Sequence, residues 1–280
     1  MPGPLISADE LHARLRGARV RVADVRWYLG KPGAGREAYG RGHIPGAIFL
    51  DLDADLSDEH GFGAPGRHPL PSPAEFARRM GELGFGSGDF VVAYDDAGGT
   101  IAARLWWMLD DLGHRGGCAV LDGGIKAWTA AGYDLTTDAR PGAAAEMHLA
   151  DEWRNVIGRE QVANGRAQLV LLDARAPERY RGEVEPIDPV AGHIPGARNV
   201  PTSANLDSEG LLLDATALEA LYAPLTAVGK NMVISCGSGT TACHSALAMR
   251  VAGMGDPLLY VGSFSDWSRS GMPVVSGDEP

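Results

Sequence analysis

The residue types that could do covalent chemistry concentrate in one short stretch, MVISCGSGTTAC, residues 232–243. Its apolar start reads as a buried strand that ends at Cys236. Gly237, Ser238, Gly239, Thr240 and Thr241 then form a tight loop, and a helix is predicted to begin at about Thr241. In open α/β sheets ligands bind beyond the carboxyl ends of the strands, which is where this spacing puts Cys236. Two glycines let the backbone curl so that several N–H groups point inward, and a helix N-terminus adds positive potential at the same spot. That setting favours the thiolate, which is the nucleophilic form of cysteine. The same N–H groups would stabilise the outer sulfur of a persulfide. The plain alternative is a small buried cysteine in a strand–turn–helix unit. It accounts for the apolar strand but not for the glycine-rich loop. Cys243 falls on the packed face of the helix and Cys118 precedes an apolar strand, so both read as structural. Cys236, Cys243 and His244 make a poor tetrahedral set, because a strand end and a helix residue seven positions later do not converge. No metal and no cofactor is expected.

The elements that must position Cys236 occur twice. GRGHIPGAIFLDLD carries His43, and VAGHIPGARNVP carries His193. Upstream of each lies a β-rich run ending in Asp-x-Arg, with Asp24 in VRVADVR and Asp173 in LVLLDAR. Downstream, LDGGIKAW ends at Trp128 and YVGSFSDW at Trp267. Three anchors in the same order identify an internal duplication. Each copy alternates strand and helix signals, which predicts two α/β domains, each a parallel sheet flanked by helices on both faces. The expected boundaries are 1–140 for the first domain and 141–280 for the second, with a linker near Thr136–Ala150, a segment rich in Ala, Pro and Gly. Matching Gly99-Thr100 to Gly239-Thr240 puts Asp96 opposite Cys236. Asp96 offers no thiol nucleophile, so the first domain is expected to be non-catalytic. His43 and His193 persist in both copies although only one has the cysteine, and they read as structural braces.

Bulk composition agrees. The 280 residues are 45% hydrophobic and 22% charged, enough for two cores. The formal net charge of −11, with Lys and Arg scattered, argues against a nucleic-acid partner. Three cysteines are too few for a disulfide framework, and no apolar run is long enough for a membrane span or a secretory signal. A cytoplasmic protein without a membrane partner is expected.

With these residues in view, nearly the whole chain resembles the tandem rhodanese family. Within it, CGSGTTAC is similar to the CGSGVTAC loop of the 3-mercaptopyruvate sulfurtransferases, with Thr240 in place of Val. Thiosulfate sulfurtransferases instead carry Arg and Lys after the cysteine, where this chain has Gly237 and Ser238. The resemblance implies a persulfide on Cys236, sulfur taken from mercaptopyruvate and pyruvate released. It implies that Gly237, Gly239, Thr240 and Thr241 line the substrate loop. It places the substrate-binding arginine at Arg179 in ERYRGEVEPIDP, while Ile187 stands where a second arginine is common. It also implies an acid–base set of Asp53 in IFLDLD, His68 in GRHPLP and Ser238, with His60 competing with His68.

Alternatives follow from the same residues. A thiosulfate:cyanide sulfurtransferase would use the same persulfide, but the loop offers a dianion only backbone N–H groups, the helix end and Arg179. A phosphatase of this fold needs an arginine six positions after its nucleophile, and position 242 is Ala. A non-catalytic sulfur-binding module would not need Cys236. The acceptor stays open between cyanide, a small thiol and a thioredoxin-like protein.

Overall fold

The computed structural model describes residues 3–17, 19–139, 142–165, 167–226 and 230–280. The chain forms two units. The first takes the chain up to Leu56, Ser72–Arg154 and Ser208–Leu212. The second takes Ser57–Pro71, Asn155–Asp207 and Leu213–Pro280.

The first unit holds strands β1 (Leu5–Ile6), β2 (Val20–Asp24), β3 (Ile48–Phe49), β4 (Phe90–Tyr94) and β5 (Cys118–Leu121). They lie in the order β1-β5-β4-β2-β3, all parallel. Helices α1 (Ala8–Arg14), α2 (Ala34–Arg41), α3 (Pro73–Glu82), α4 (Ala102–Asp111) and α5 (Gly124–Ala130) flank the sheet. Every residue of β4 is buried. Successive side chains of a strand point to opposite faces, so both faces of this sheet are covered. Helix starts follow local chemistry: Ser72 accepts the N–H of Glu75 and Pro73 opens α3, whose Phe76 and Met80 are buried.

The second unit repeats the plan with β6 (Val156–Ile157), β7 (Leu169–Asp173), β8 (Ala197–Asn199), β9 (Asn231–Ser235) and β10 (Leu258–Tyr260), in the order β6-β10-β9-β7-β8. All of its strand pairs are parallel as well. Its helices are α6 (Arg159–Asn164), α7 (Pro177–Tyr180), α8 (Ala215–Tyr222), α9 (Ala242–Val251) and α10 (Ser263–Arg269).

The repeated motifs form one device in each unit. The Arg26 guanidinium pairs with Asp24 and donates to the Gly42 carbonyl at 2.9 Å. Arg175 pairs with Asp173 and donates to the Gly192 carbonyl at 2.7 Å. Each carbonyl immediately precedes an HIPGA segment, which turns with Ala47 N–H on the Ile44 carbonyl and Ala197 N–H on the Ile194 carbonyl. Gly46 and Gly196 have φ of 80° and 88°, the left-handed region that the third residue of a type II turn requires. His43 and His193 are fully buried and stack on Tyr39 and Tyr180 at 3.8 and 3.7 Å, a bracing arrangement.

Two sequence expectations change. Asp24 pairs with Tyr94 in register, as Asp173 pairs with Ser235. The residue matching Cys236 is therefore Asp95, not Asp96. The first-unit loop has one more residue before its helix, at Ala102, than the second has before Ala242. The alignment anchored at the loop's end slipped by that residue. The segment expected to be a linker also bonds to the first unit. Thr136 and His43 exchange both main-chain bonds at 2.9 Å, Ala145 N–H donates to the Gly81 carbonyl, and Met147 is buried. Main-chain bonds need no side-chain periodicity, so composition could not reveal them. The expected boundary at positions 140 and 141 lies outside the described residues.

Candidate active site

Cys236 follows β9 directly and is 2% exposed. Its N–H donates to Ser263 Oγ at 3.1 Å, and its carbonyl accepts the N–H of Phe264 at 3.0 Å. The GSFSDW segment thus seats Cys236 from behind. The Gly239 N–H donates to Cys236 Sγ at 3.1 Å. Gly239 has φ of +77°, and a methyl group there would lie 2.3 Å from the Val261 carbonyl oxygen. Only glycine brings this N–H to the sulfur. Helix α9 starts at Ala242, with Thr241 at its cap, and points its N-terminus at the loop. Cys243 is buried on α9 and donates to the Gly239 carbonyl. Cys118 opens β5 rather than preceding it.

His68 lies on the 57–71 segment, which belongs to the same unit as Cys236. Its Nδ1 is 2.7 Å from Ser238 Oγ and 3.2 Å from Thr240 Oγ1, and all three residues are buried. A ring nitrogen facing two hydroxyls can give or take a proton there. His60, the competing candidate, is an 87% exposed side chain beside Glu59. Asp53 is in the first unit, on the turn after β3, where Trp27 Nε1 donates to Oδ2 at 2.8 Å.

Arg179, on α7, donates through Nη2 to Glu185 Oε1 at 2.7 Å and Oε2 at 2.9 Å, and to Asp188 at 3.3 Å. The Glu185 carboxyl is held below the usual carboxylate range: burial opposes its charge, but Arg179 and the N–H groups of Asp188 and Ile187 outweigh burial. Asp188 has a fully buried side chain that also pairs with Arg67 and with Arg269 at 3.0 Å. A methyl group placed on Gly237 would meet Arg67 Nη2 at 2.8 Å and Arg179 Nη1 at 3.4 Å. The sequence reading allowed only Arg179 beside the loop. Arg67 was missed because it lies far from Cys236 in the chain. Its one local signal is adjacency to His68.

The buried cysteine at a strand end, held by a glycine N–H beside a helix N-terminus, belongs to the second of two α/β units built on the same plan. The rhodanese-like domain model matches residues 7–131 and 158–270, and the chain belongs to that family. It is 44% identical to a Pseudomonas aeruginosa protein assigned as a probable 3-mercaptopyruvate sulfurtransferase, over 98% of each chain. It is 41% identical to a Mycobacterium tuberculosis protein assigned as a thiosulfate sulfurtransferase, over 94% of this chain and 93% of that one. The crystal structure of SseA from Escherichia coli, a 3-mercaptopyruvate sulfotransferase, superposes with a TM-score of 0.82 at 31% identity, covering 94% of this chain and 100% of that one.

Proposed function

We propose that the chain is a sulfurtransferase that takes sulfur from 3-mercaptopyruvate onto Cys236 and passes it to a thiol, cyanide or a thioredoxin-like acceptor. The carrying observation is the 2.7 Å approach of His68 Nδ1 to Ser238 Oγ, two residues from the nucleophile. The Cys236 thiolate attacks the donor sulfur. The carbon–sulfur bond breaks and its electron pair stays on carbon, giving the enolate of pyruvate. The proton from the donor thiol moves by way of Ser238 and His68 to that carbon, so pyruvate leaves and Cys236 keeps an anionic persulfide. The Gly239 N–H and the α9 N-terminus favour this anion. An attacking thiolate or cyanide then takes the outer sulfur, and Cys236 departs as thiolate.

Arg179, which faces Gly237, is assigned to the donor carboxylate and Ser238 to the keto oxygen, with Gly237, Gly239, Thr240 and Thr241 as the remaining substrate-loop residues. Asp53 stays a candidate for the proton relay on the resemblance alone. Residues 1–140, without the 57–71 segment that carries Arg67 and His68, are assigned as the non-catalytic domain, and 141–280 with that segment as the catalytic one. A working thiol must stay reduced, which favours the cytoplasm. Among the described residues no helix is long and apolar enough to cross a membrane.

The second reading, thiosulfate as donor, draws on the two guanidiniums beside Gly237, since a dianion gains from both. Sulfite, however, leaves without a proton, which gives the His68–Ser238 pair no task. Steady-state kinetics with each donor decide. The expected kcat/KM for mercaptopyruvate exceeds that for thiosulfate by about tenfold or more, a barrier difference of about 1.4 kcal/mol. A strong preference for thiosulfate puts the second reading in its place.

A further inference from the structure

We infer that Arg67 is a second donor-binding cation of this site, and that it sets the affinity for the donor's carboxylate together with Arg179. The inference rests on the sulfurtransferase reading above. Three observations carry it. The first is position: Arg67 Nη2 is the nearest atom to the face of Gly237, the residue that follows the nucleophile, and it stands closer there than Arg179 does. The second is charge. Among the described residues, Arg67, Arg179 and Arg269 gather on Asp188, with Glu185 as the second carboxylate, which leaves an excess of one positive charge. Arg175 bridges Asp173 and Glu185, and counting that pair as well leaves the same excess, four guanidiniums against three carboxylates. The third is unused donor capacity. Arg67 Nε is buried without a hydrogen-bond partner among the described residues. The ion pair with Asp188 therefore leaves part of the guanidinium's donor capacity unused, while Nη2 is the atom that faces Gly237.

The side chain is also held in place before any ligand arrives. The Arg67 N–H donates to Ser265 Oγ at 3.0 Å, Nη1 pairs with Asp188, and the side chain is 19% exposed. A cation fixed in this way loses little freedom on binding. Arg67 and His68 are consecutive, so one segment supplies both a charge for the donor's carboxylate and a base beside Ser238. Ile187, next to Glu185-Pro186, contributes no charge. Arg67 approaches Gly237 from a different stretch of chain, and this supplies the second cation.

The test compares full-length wild type, R67M and R67K with 3-mercaptopyruvate as donor. R67M is expected to raise KM about tenfold or more with kcat changed less than about threefold, as loss of uniform binding requires. The inhibition constant for pyruvate, which keeps the carboxylate and lacks the sulfur, should rise in parallel, and R67K should fall between. Enzyme loaded with persulfide at saturating donor and then desalted should discharge to 2-mercaptoethanol at the wild-type rate. A folded R67M with unchanged KM and unchanged pyruvate inhibition overturns the inference. So does a variant whose discharge slows as much as its loading, because that pattern is structural. If R67M does not fold, R67K decides by the same two constants: a parallel rise supports the role, and no change refutes it. If wild type uses thiosulfate but not mercaptopyruvate, the donor reading fails by itself, and Arg67 is judged by the KM for thiosulfate and inhibition by sulfite.

Discussion

Asp95 in the first unit and Cys236 in the second each take a backbone N–H from a glycine of their own loop: Gly99 donates to Asp95 Oδ1 at 2.9 Å and Gly239 to Cys236 Sγ at 3.1 Å. Asp95 takes three more, from Ala97 on Oδ1 and from Ile101 and Ala102 on Oδ2. The first loop is therefore an anion site filled by its own carboxylate. Asp95→Ala leaves those donors without their acceptor and should destabilise the protein by about 3 kcal/mol in chemical denaturation. A loss below about 1 kcal/mol would show that solvent replaces the carboxylate.

The same asymmetry predicts where sulfur is carried. Donor treatment without acceptor should add one sulfur atom to the Cys236 peptide, read by mass spectrometry, and Cys236→Ser should abolish both that adduct and turnover. Persulfide on Cys118 or Cys243 with Cys236 untouched would refute the assignment.

His68→Gln and Ser238→Ala should each lower kcat with mercaptopyruvate by about 100-fold, the scale of a lost acid–base partner. Discharge of preformed persulfide to cyanide needs no proton delivered to carbon and should be far less affected. Equal loss in both half-reactions would argue for a general distortion of the loop.

Two glycine variants should part company. Gly239→Ala meets fixed backbone at a left-handed position, so it should cost about 2 kcal/mol or more and prevent persulfide formation. Gly237→Ala meets only the ends of arginine side chains, which can shift. It should fold normally and raise KM. Equal thermal stability of the two variants would contradict the geometry.

Glu185 gives a pH signature. Its folded-state value lies below the ordinary 4.5, so its contribution to stability is present above that value and is lost as pH falls through the lower one. Between pH 5 and about pH 3, wild type should lose stability more steeply than Glu185→Gln, read as urea midpoints. Parallel curves would show that the ion pairs with Arg179 and Arg175 add nothing to folding.

What the sequence determined by itself was local or repeated. The duplication of Asp-x-Arg, HIPGA and the terminal Trp was legible because each motif makes short-range contacts of its own, such as Trp128 and Trp267 donating to carbonyls six residues on, Asp134 and Pro273. The strand, loop and helix around Cys236 were legible because glycine, apolar runs and helix starts act within a few residues. The tertiary structure decided the rest. His68 rather than His60 meets Ser238, and Arg67 reaches Gly237, because the 57–71 segment belongs with the second sheet rather than with its sequence neighbours. Asp95 rather than Asp96 matches Cys236 because strand register, set by pairing across the sheet, fixes equivalence where loop lengths differ. Those choices depend on contacts between residues far apart in the chain, which local propensity does not encode.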